Sequence, residues 1–557
     1  MNLGIDFGST YTTISRYRTD YHVLEAYDSG DGVAIPSVVS INKFNKTTCG
    51  FVAKNRTGKE GFRTFKAFKM LMMEKNKSLV EYRQYDKTYT PQWAAETYLS
   101  SMVVEAQRTF GEKKIEKLVV GAPDVWFHNF ETLSGRAVLR DICSSIDGVE
   151  EVRIVSEPVL ASAYFAHNFQ QSIGEPFNGA ILIIDYGGGT LDLSLTEIKK
   201  GKNSAYEIKM LESNGAGENT DNCVGNAGIV YMETLMADVI RKHEEPQAAE
   251  GIIGTDDFYA AVNEVEKQLK QGHKAGDIED VFDGIGIDDL DMLESYELEE
   301  SIICGTHKYR ITYADLVRTY NKTIRKVFDE KMDEMIRWAS QEHGIDVYRI
   351  KDGNFKIALV GGFGNYYLVR QQMHEKFRFS NRDDKEKGII RNEQDRERAI
   401  SYGAALIASG VFETCRTAPY SIGIRSKLNG SSDKIHTDYM IRYLREIETD
   451  QPYYILDENG DKKIICLTDN WADEFVIDHG RGDKEEIRFR AKKEFKNKLE
   501  NIVKNELKMC CLGVSFGESD ILRIHIREYD YFGTGQFSKQ EIVEEIGIFE
   551  EAFEKIR

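Results

Sequence analysis

The chain has 557 residues, of which 41% are hydrophobic and 30% are charged. That length allows about three to four domains of ordinary size, with a core large enough to fold without disulfide or metal staples. Lysine and arginine number 73 against 92 aspartates and glutamates, which gives a formal charge of −19. Such a balance repels nucleic acids and anionic membranes, so we expect neither as a partner.

Targeting and redox signals are weak throughout the sequence. There is no run of 18 apolar residues, and the opening residues 1–6 lack a basic stretch followed by an apolar one. The eight cysteines are scattered without a Cys-x-x-Cys pair, which disfavours structural zinc and agrees with reduced thiols. These features predict a cytoplasmic protein.

The first 200 residues alternate between strand and helix patterns. Apolar runs predict strands at 3–7, 12–17, 118–122, 152–155 and 180–184. Apolar residues at helical spacing predict a helix between Ala95 and Phe110. A helix-rich, acidic stretch follows at 229–343, then a strand at 356–360, a helix to about 377 and a small-residue helix at 399–409. This alternation favours a mixed α/β fold.

The character of the sequence changes near residue 412. Strand patterns appear at 417–425, 463–467, 474–477 and 521–527, with one helix around 495–503. The last residues, 538–557, are acidic and predict a short terminal helix. We therefore predict an α/β domain at 1–411, a linker at 412–418 and a β-rich domain at 419–557.

An internal repeat connects two distant turns. Ile5-Asp6-Phe7-Gly8-Ser9-Thr10 is echoed by Ile184-Asp185-Tyr186-Gly187-Gly188-Gly189-Thr190, and both follow apolar strands. Either copy alone is equally compatible with a plain β-turn. Glycine lets a backbone approach a phosphate and point N–H groups at it. A carboxylate at the strand end can hold hydrated Mg²⁺, so two such loops together predict a site for a metal–triphosphate.

The repeat resembles the two phosphate loops of the actin/sugar-kinase/heat-shock ATPase superfamily. Ala358-Leu359-Val360-Gly361-Gly362-Phe363-Gly364 resembles its adenosine loop. Five further segments resemble the seventy-kilodalton heat-shock chaperones and occur in that family's order, at 67–71, 120–123, 155–158, 401–405 and 418–424. The resemblance implies a duplicated, two-lobed actin-like ATPase domain followed by a smaller β-sandwich-like domain with helices.

The resemblance also implies roles for individual residues. Lys69 would position phosphate and the attacking water, and Glu157 would pass the nucleotide state to Pro123. The implied catalytic residues are Lys69, Glu157, Asp192 and Thr190; the implied Mg²⁺ ligands, through water, are Asp6 and Asp185. The implied ATP/ADP-binding residues are Gly8, Ser9, Thr10, Tyr11, Gly187, Gly188, Gly189, Glu264, Lys267, Gly361, Gly362 and Asn365. Without the resemblance, the residues equally allow Lys69 to be a surface lysine, Glu157 to start a helix, and Pro123 to end a strand.

The sequence departs from the family in four places. Residues 214–221 replace a Gly-Gly-Glu-Asp segment, and Asn365 stands where the family has an adenine-stacking arginine, which predicts weaker or altered nucleotide affinity. The linker Phe412-Glu413-Thr414-Cys415-Arg416-Thr417 is polar rather than leucine-rich, which leaves little apolar area to drive docking. Too few residues follow the predicted strands for the family's long helical lid.

The leading functional hypothesis is a Mg²⁺-dependent, slowly ATP-hydrolysing chaperone of the heat-shock or stress-response type. It would hold unfolded or extended polypeptide and work with a co-chaperone or exchange factor. An ATP-gated scaffold that hydrolyses little ATP and holds one dedicated protein partner is the main alternative. A small-molecule kinase and an actin-like filament protein are disfavoured by the sandwich-like C-terminal segment, and the kinase also by Lys69.

Overall fold

In the computed structural model, the described residues are 1–57, 59–72, 81–84, 87–128, 133–186, 191–201, 205–216, 228–348, 354–361, 363–378, 389–390, 398–427, 435–467, 471–478, 487–517, 521–546 and 552–556. The chain divides into two compact units. The first consists of Met1–Leu160 with Ile400–Arg557, and the second of Ala161–Ala399.

The N-terminal part of the first unit is built on a sheet with the strand order β11-β10-β1-β2-β3. Its strands are β1 Asn2–Phe7, β2 Tyr11–Arg18, β3 Val23–Ala26, β4 Ile35–Pro36, β5 Val39–Asn42, β6 Thr47–Cys49, β7 Phe62–Phe65, β8 Tyr82–Gln84, β9 Lys87–Tyr89, β10 Ile115–Ala122 and β11 Val149–Ser156. Its helices are α1 Gly50–Lys54, α2 Phe68–Leu71, α3 Pro91–Phe110, α4 Val125–His128, α5 Leu133–Ser144 and α6 Glu157–Ile173, the last of which continues into the second unit.

Helix α3 is specified by its ends and by one apolar face. The Thr90 hydroxyl accepts a hydrogen bond from the Trp93 amide, and Pro91 occupies the first turn, where no intrahelical amide bond is lost. Gly111 ends the helix in the left-handed conformation, with φ of 71°. Ala95, Tyr98 and Leu99 are buried, which confirms the face predicted from their spacing.

The second unit contains a sheet in which strands run in the order β18-β17-β12-β13-β14. Its strands are β12 Gly179–Tyr186, β13 Leu191–Lys200, β14 Tyr206–Ala216, β15 Ile302–Cys304, β16 His307–Tyr309, β17 Phe355–Val360 and β18 Ile389–Ile390. Its helices are α7 Gly228–His243, α8 Pro246–Ile252, α9 Asp256–Ala275, α10 Asp277–Ile285, α11 Leu290–Leu293, α12 Tyr313–Thr323, α13 Arg325–His343 and α14 Tyr367–Lys376.

The sheets of the two units repeat one topology. In each, a central strand (β1 or β12) pairs antiparallel with the next strand and parallel with a later one (β10 or β17). The carboxylates of the sequence repeat occupy equivalent places in the parallel ladders, with Asp6 opposite Gly121 and Asp185 opposite Val360. The predicted duplication of an α/β half is therefore confirmed.

The C-terminal part of the chain forms a β-sandwich. Its elements are α15 Ala399–Ala408, β19 Phe412–Thr414, β20 Ser421–Lys427, β21 Ile435–Ile441, β22 Tyr453–Tyr454, β23 Ile465–Cys466, β24 Trp471–Asp478, β25 Ile487–Ala491, α16 Lys493–Ile502, β26 Met509–Phe516, β27 Leu522–Glu528, β28 Ile542–Ile546 and β29 Phe553–Lys555. One sheet has the order β21-β20-β24-β25-β29 and the other β22-β26-β27-β28, with β23 also pairing with β26. Ile424, Phe475, Leu512 and Ile524 share one buried core, which confirms the sandwich-like prediction.

The prediction of a terminal helix at 538–557 is wrong for the residues described there. Residues 542–546 form β28, which pairs antiparallel with β27, and residues 553–555 form β29, which pairs with β25. The Phe553 ring packs against Phe475 with centroids 4.7 Å apart. Sheet pairing and this core contact override the helical propensity of the glutamates.

Candidate functional site

The first phosphate-loop candidate is the turn between β1 and β2. A Cβ at Gly8 would lie 2.2 Å from the Tyr11 carbonyl oxygen, so this turn requires glycine. The Ser37 hydroxyl donates to the Gly8 carbonyl (2.7 Å), and the Ser37 amide donates to the Thr10 carbonyl (2.9 Å). Sequence reasoning missed Ser37, because it has no local motif and reaches the turn only through the fold. The braced turn leaves Ser9 partly exposed and Thr10 exposed.

Three of the predicted site residues come together in the first unit: Asp6, Lys69 and Glu157. The Lys69 Nζ lies 2.8 Å from the Glu157 Oε1, and the two side chains are 3% and 18% exposed. Burial, and after it the charge of Glu157, raise the pKa of Asp6 to about 7, although the charge of Lys69 lowers it. Lys69 is therefore not the surface lysine that the sequence alone allowed. It is a buried cation paired with Glu157, and its charge acts on Asp6.

The turn after β10 lies close to Glu157. A Cβ at Gly121, two residues before Pro123, would lie 3.3 Å from the Glu157 Cγ. The Pro123 carbonyl accepts a hydrogen bond from the Trp126 amide (3.0 Å) at the start of α4. Glu157, as the first residue of α6, thus contacts Lys69 and lies against the strand that leads into Pro123. This arrangement suits the relay from Glu157 to Pro123 that the resemblance implies.

In the second unit, Asp185 is the penultimate residue of β12 and pairs in register with Asp192 on β13. Gly361 has φ of 78°, and a Cβ there would lie 2.5 Å from the Asp185 Oδ1, so glycine is required beside this carboxylate. Gly187, Gly188, Gly189, Thr190 and Gly362 lie outside the described residues. Their assigned roles stay predictions.

The nucleotide-clamp candidates lie on α9 of the same unit. Lys267 Nζ and Glu264 Oε1 are 3.1 Å apart one helical turn from each other, with side chains 59% and 37% exposed. Both are therefore reachable by a ligand from solvent. Asn365 ends a short 3₁₀ turn, Phe363–Asn365, and its side chain lies outside what the structure describes.

Asn214, the first residue of the divergent segment 214–221, is occupied by contacts within its unit. Its amide donates to the Glu334 carboxylate (2.9 Å) and to the Lys331 carbonyl (3.3 Å) on α13, and its oxygen accepts from the Gly215 amide (2.9 Å). Asn214 is also buried. It anchors the end of β14 to α13, while residues 217–227 lie outside the described part of the chain.

The residues present fit Mg²⁺ and a nucleotide phosphate chain. Gly8 and Gly361 occupy places where a side chain would clash, as glycines in phosphate cradles do. Asp6 near the end of β1 and Asp185 near the end of β12 each carry carboxylate oxygens of the kind that Mg²⁺ prefers.

Other kinds of site have little support. Among the described residues, no group of three or more histidine, cysteine, aspartate or glutamate side chains is arranged to hold a metal ion. No helix in the described ranges is long and apolar enough to cross a membrane. Cys510 and Cys511 are buried and free on β26, as expected for two strand thiols.

Comparison with known proteins finds similarity to one chaperone family in the N-terminal part of the chain. The family model described as "Hsp70 protein" matches residues 2–227. A ribosome-associated molecular chaperone of Saccharomyces cerevisiae is 28% identical over 235 residues, covering 38% of this chain and 36% of the relative. A second such chaperone of the same yeast matches equally, and one of Zygosaccharomyces rouxii is 28% identical over 234 residues. The match thus spans about a third of the length of these curated relatives.

Proposed function

From the match of residues 2–227 to the Hsp70 family, we propose that this protein is an ATP-dependent molecular chaperone. It binds Mg-ATP, hydrolyses it slowly to ADP and phosphate, and thereby controls a polypeptide-binding C-terminal sandwich. The buried Lys69–Glu157 pair near Asp6 is the observation that carries this proposal, because it supplies a fixed cation next to the carboxylate proposed to hold Mg²⁺.

The proposed chemistry is mainly positioning. Mg²⁺, when bound, supplies neutralisation of the triphosphate charge. The amides of the Gly8–Tyr11 turn hold phosphate oxygens, and Lys69 stabilises the negative charge that develops on the transferred phosphoryl group. Glu157 fixes the Lys69 ammonium through its 2.8 Å contact. Asp192, on the second unit, is proposed to orient the attacking water.

The proposed partner of the sandwich is an unfolded or extended polypeptide. Support comes from the relatives, which are molecular chaperones, and from the sandwich that follows the family-matched region. A co-chaperone or exchange factor would act on the nucleotide-binding part. The alternative, an ATP-gated scaffold for one dedicated partner, is favoured by Asn365, which stands where the resembled family has an adenine-stacking arginine.

ATP turnover by the purified protein, with and without an unfolded polypeptide, tests the proposal. Lys69→Ala removes the buried cation, and we expect turnover to fall at least about a hundredfold, since phosphoryl-transfer charge is left unneutralised. Lys66→Ala is the matched control, because Lys66 is exposed three residues earlier. Turnover that rises with polypeptide and disappears only in Lys69→Ala supports a chaperone. ATP binding without turnover in any variant would support the scaffold instead.

A further inference from the structure

Two aromatic rings lie over the ammonium group of Lys69. The Nζ is 5.8 Å from the ring centroid of Phe7 and 5.8 Å from that of Trp126. Lys69 and Trp126 are 3% and 2% exposed, so water is largely excluded from the contact. A cation within about 6 Å of an aromatic face is attracted to it, most strongly by indole and more strongly when desolvated.

Trp126 is tied to the turn that follows β10. Its amide donates to the Pro123 carbonyl at 3.0 Å, and the Phe127 amide donates to the Asp124 carbonyl at 2.8 Å. Both bonds close the first turn of α4, which presents the indole toward Lys69. A displacement of the Lys69 ammonium therefore changes the surroundings of the Trp126 indole, and the Trp126 backbone is hydrogen-bonded to Pro123.

We infer that Trp126 is a positioning residue for Lys69. Its indole face and the Glu157 carboxylate together fix the ammonium where a phosphoryl oxygen would meet it. Glu157 alone constrains one direction, because it offers the ammonium one oxygen at 2.8 Å. The indole adds a second contact of low polarity that does not compete with phosphate for the ammonium protons. The catalytic consequence rests on the proposed ATPase function, whereas the contact itself does not.

The contact is tested first without nucleotide. In a chain in which Trp93, Trp338 and Trp471 are replaced by phenylalanine, Trp126 is the remaining tryptophan of the four. We expect Lys69→Met to change its emission intensity or maximum, because the cation over the indole face is removed. Lys66→Met, at the exposed neighbouring lysine, should leave it unchanged. Identical emission before and after the Lys69→Met substitution would overturn the inference whatever the protein does with ATP.

Kinetics then separate positioning from packing. We expect Trp126→Leu to lower kcat about five- to tenfold, the effect of losing one partly desolvated cation–π contact, with the ATP Kd changed less than about twofold. Trp126→Phe, which keeps an aromatic face, should recover at least about half of kcat. Trp93→Leu is the control, because Trp93 packs on Tyr89 and Phe65 (4.5 and 5.6 Å) rather than on Lys69. Urea midpoints verify that each variant is folded.

The outcomes distinguish the two proposals. If Trp126→Leu turns over ATP as fast as the wild-type protein, the positioning role is overturned and the proposed ATPase function is unaffected. The positioning role is supported if Trp126→Leu lowers kcat in the wild-type background but not in the Lys69→Ala background, because the two side chains then act as one unit. A wild-type protein that neither binds nor hydrolyses ATP overturns the proposed function, and the emission of Trp126 without nucleotide still decides the inference.

Discussion

Gly8 and Gly361 occupy places that no other residue can take without moving the backbone or a carboxylate. At Gly8 the obstacle is the Tyr11 carbonyl, 2.2 Å from where a Cβ would stand, and at Gly361 it is the Asp185 Oδ1 at 2.5 Å. Contacts below 3.0 Å are sterically forbidden to a Cβ, so these glycines are required by geometry rather than by flexibility. Gly8 follows Asp6 by two residues and Gly361 lies against Asp185, so each of these glycines accompanies one carboxylate of the sequence repeat.

Replacing Gly8 by alanine tests the first of these places. We expect ATP affinity to fall at least about tenfold and the free energy of unfolding to drop by about 1–3 kcal/mol, the usual cost of forcing extra atoms into a packed site. Gly251→Ala is the control, because no atom lies within 4 Å of a Cβ there and alanine favours the helix. Calorimetric titration with Mg-ATP and urea unfolding measure both effects. Unchanged affinity in Gly8→Ala would contradict a phosphate-binding turn.

The linker at 412–418 is the element whose behaviour the sequence described least well. Its polarity predicted little docking, yet Phe412 is 2% exposed and Ala418 is fully buried. The Arg416 guanidinium donates to the Thr449 hydroxyl (2.8 Å) and the Phe516 carbonyl (3.4 Å) and also contacts the Gly517 carbonyl. On β11, Arg153 donates to the Thr414 hydroxyl at 2.9 Å. Arg416 thus joins the linker to the sandwich, and Arg153 joins Thr414 to β11.

Arg416→Ala is expected to loosen the sandwich from the linker. Hydrogen bonds from a charged donor contribute about 1.5–3 kcal/mol each, and since the three share one side chain, we expect a total loss of about 2–3 kcal/mol. Arg488→Ala, at an exposed arginine on β25, is the control. Faster proteolysis within 412–418 and weaker stimulation of ATP turnover by polypeptide would show the effect. Equal proteolysis of the two variants would mean that Arg416 does not hold the linker.

Elements with a strong local signal were predictable from the sequence, and those fixed by distant partners were not. Helix α3 carries its own cap at Thr90 and stop at Gly111, and β17 is an unbroken buried run, so both were predicted closely. Strands β28 and β29 exist because β27 and β25 pair with them, and acidic residues there suggested a helix. Of the site, Lys69 and Glu157 could be chosen only through the family resemblance, and Trp126 and Ser37 were missed because only the fold brings them there.

At the scale of the whole molecule, two sheets of one topology are followed by a sandwich of different construction. The duplicated sheets have their titratable site groups at strand ends, as with Asp6 and Asp185. The sandwich instead carries a polar row across three neighbouring strands, Ser515 on β26, His525 on β27 and Glu541 just before β28. The Ser515 hydroxyl and the His525 Nε2 are 2.7 Å apart, and the His525 Nδ1 lies 3.1 Å from the Glu541 Oε1.

This row makes the sandwich sensitive to acid. Burial lowers the pKa of His525 from 6.5, against the raising effect of Glu541 and with smaller lowering effects of Arg523 and Arg527. Below about pH 6.5, His525 therefore binds a proton in the unfolded chain more readily than in the folded chain. The free energy of unfolding consequently falls as the pH falls. The pKa of Glu541 is also lowered: burial raises it, but the Tyr454 hydroxyl and the charges of His525 and Arg527 outweigh this. The stabilisation that ionised Glu541 gives to the fold is lost at still lower pH, so it too makes the free energy of unfolding fall as the pH falls.

The decisive variant is His525→Gln, which keeps a nitrogen able to reach Ser515 but cannot be protonated. We expect the urea midpoint of the wild-type sandwich to fall between about pH 7 and pH 5, and that fall to be smaller in His525→Gln. His436→Gln is the matched control, because the His436 side chain is 59% exposed on β21. In chains in which Trp93, Trp126 and Trp338 are replaced by phenylalanine, the emission of Trp471, which lies on β24, follows the sandwich. A pH dependence identical in all three proteins would show that the buried histidine row does not govern acid stability, and would shift the cause to the surface carboxylates.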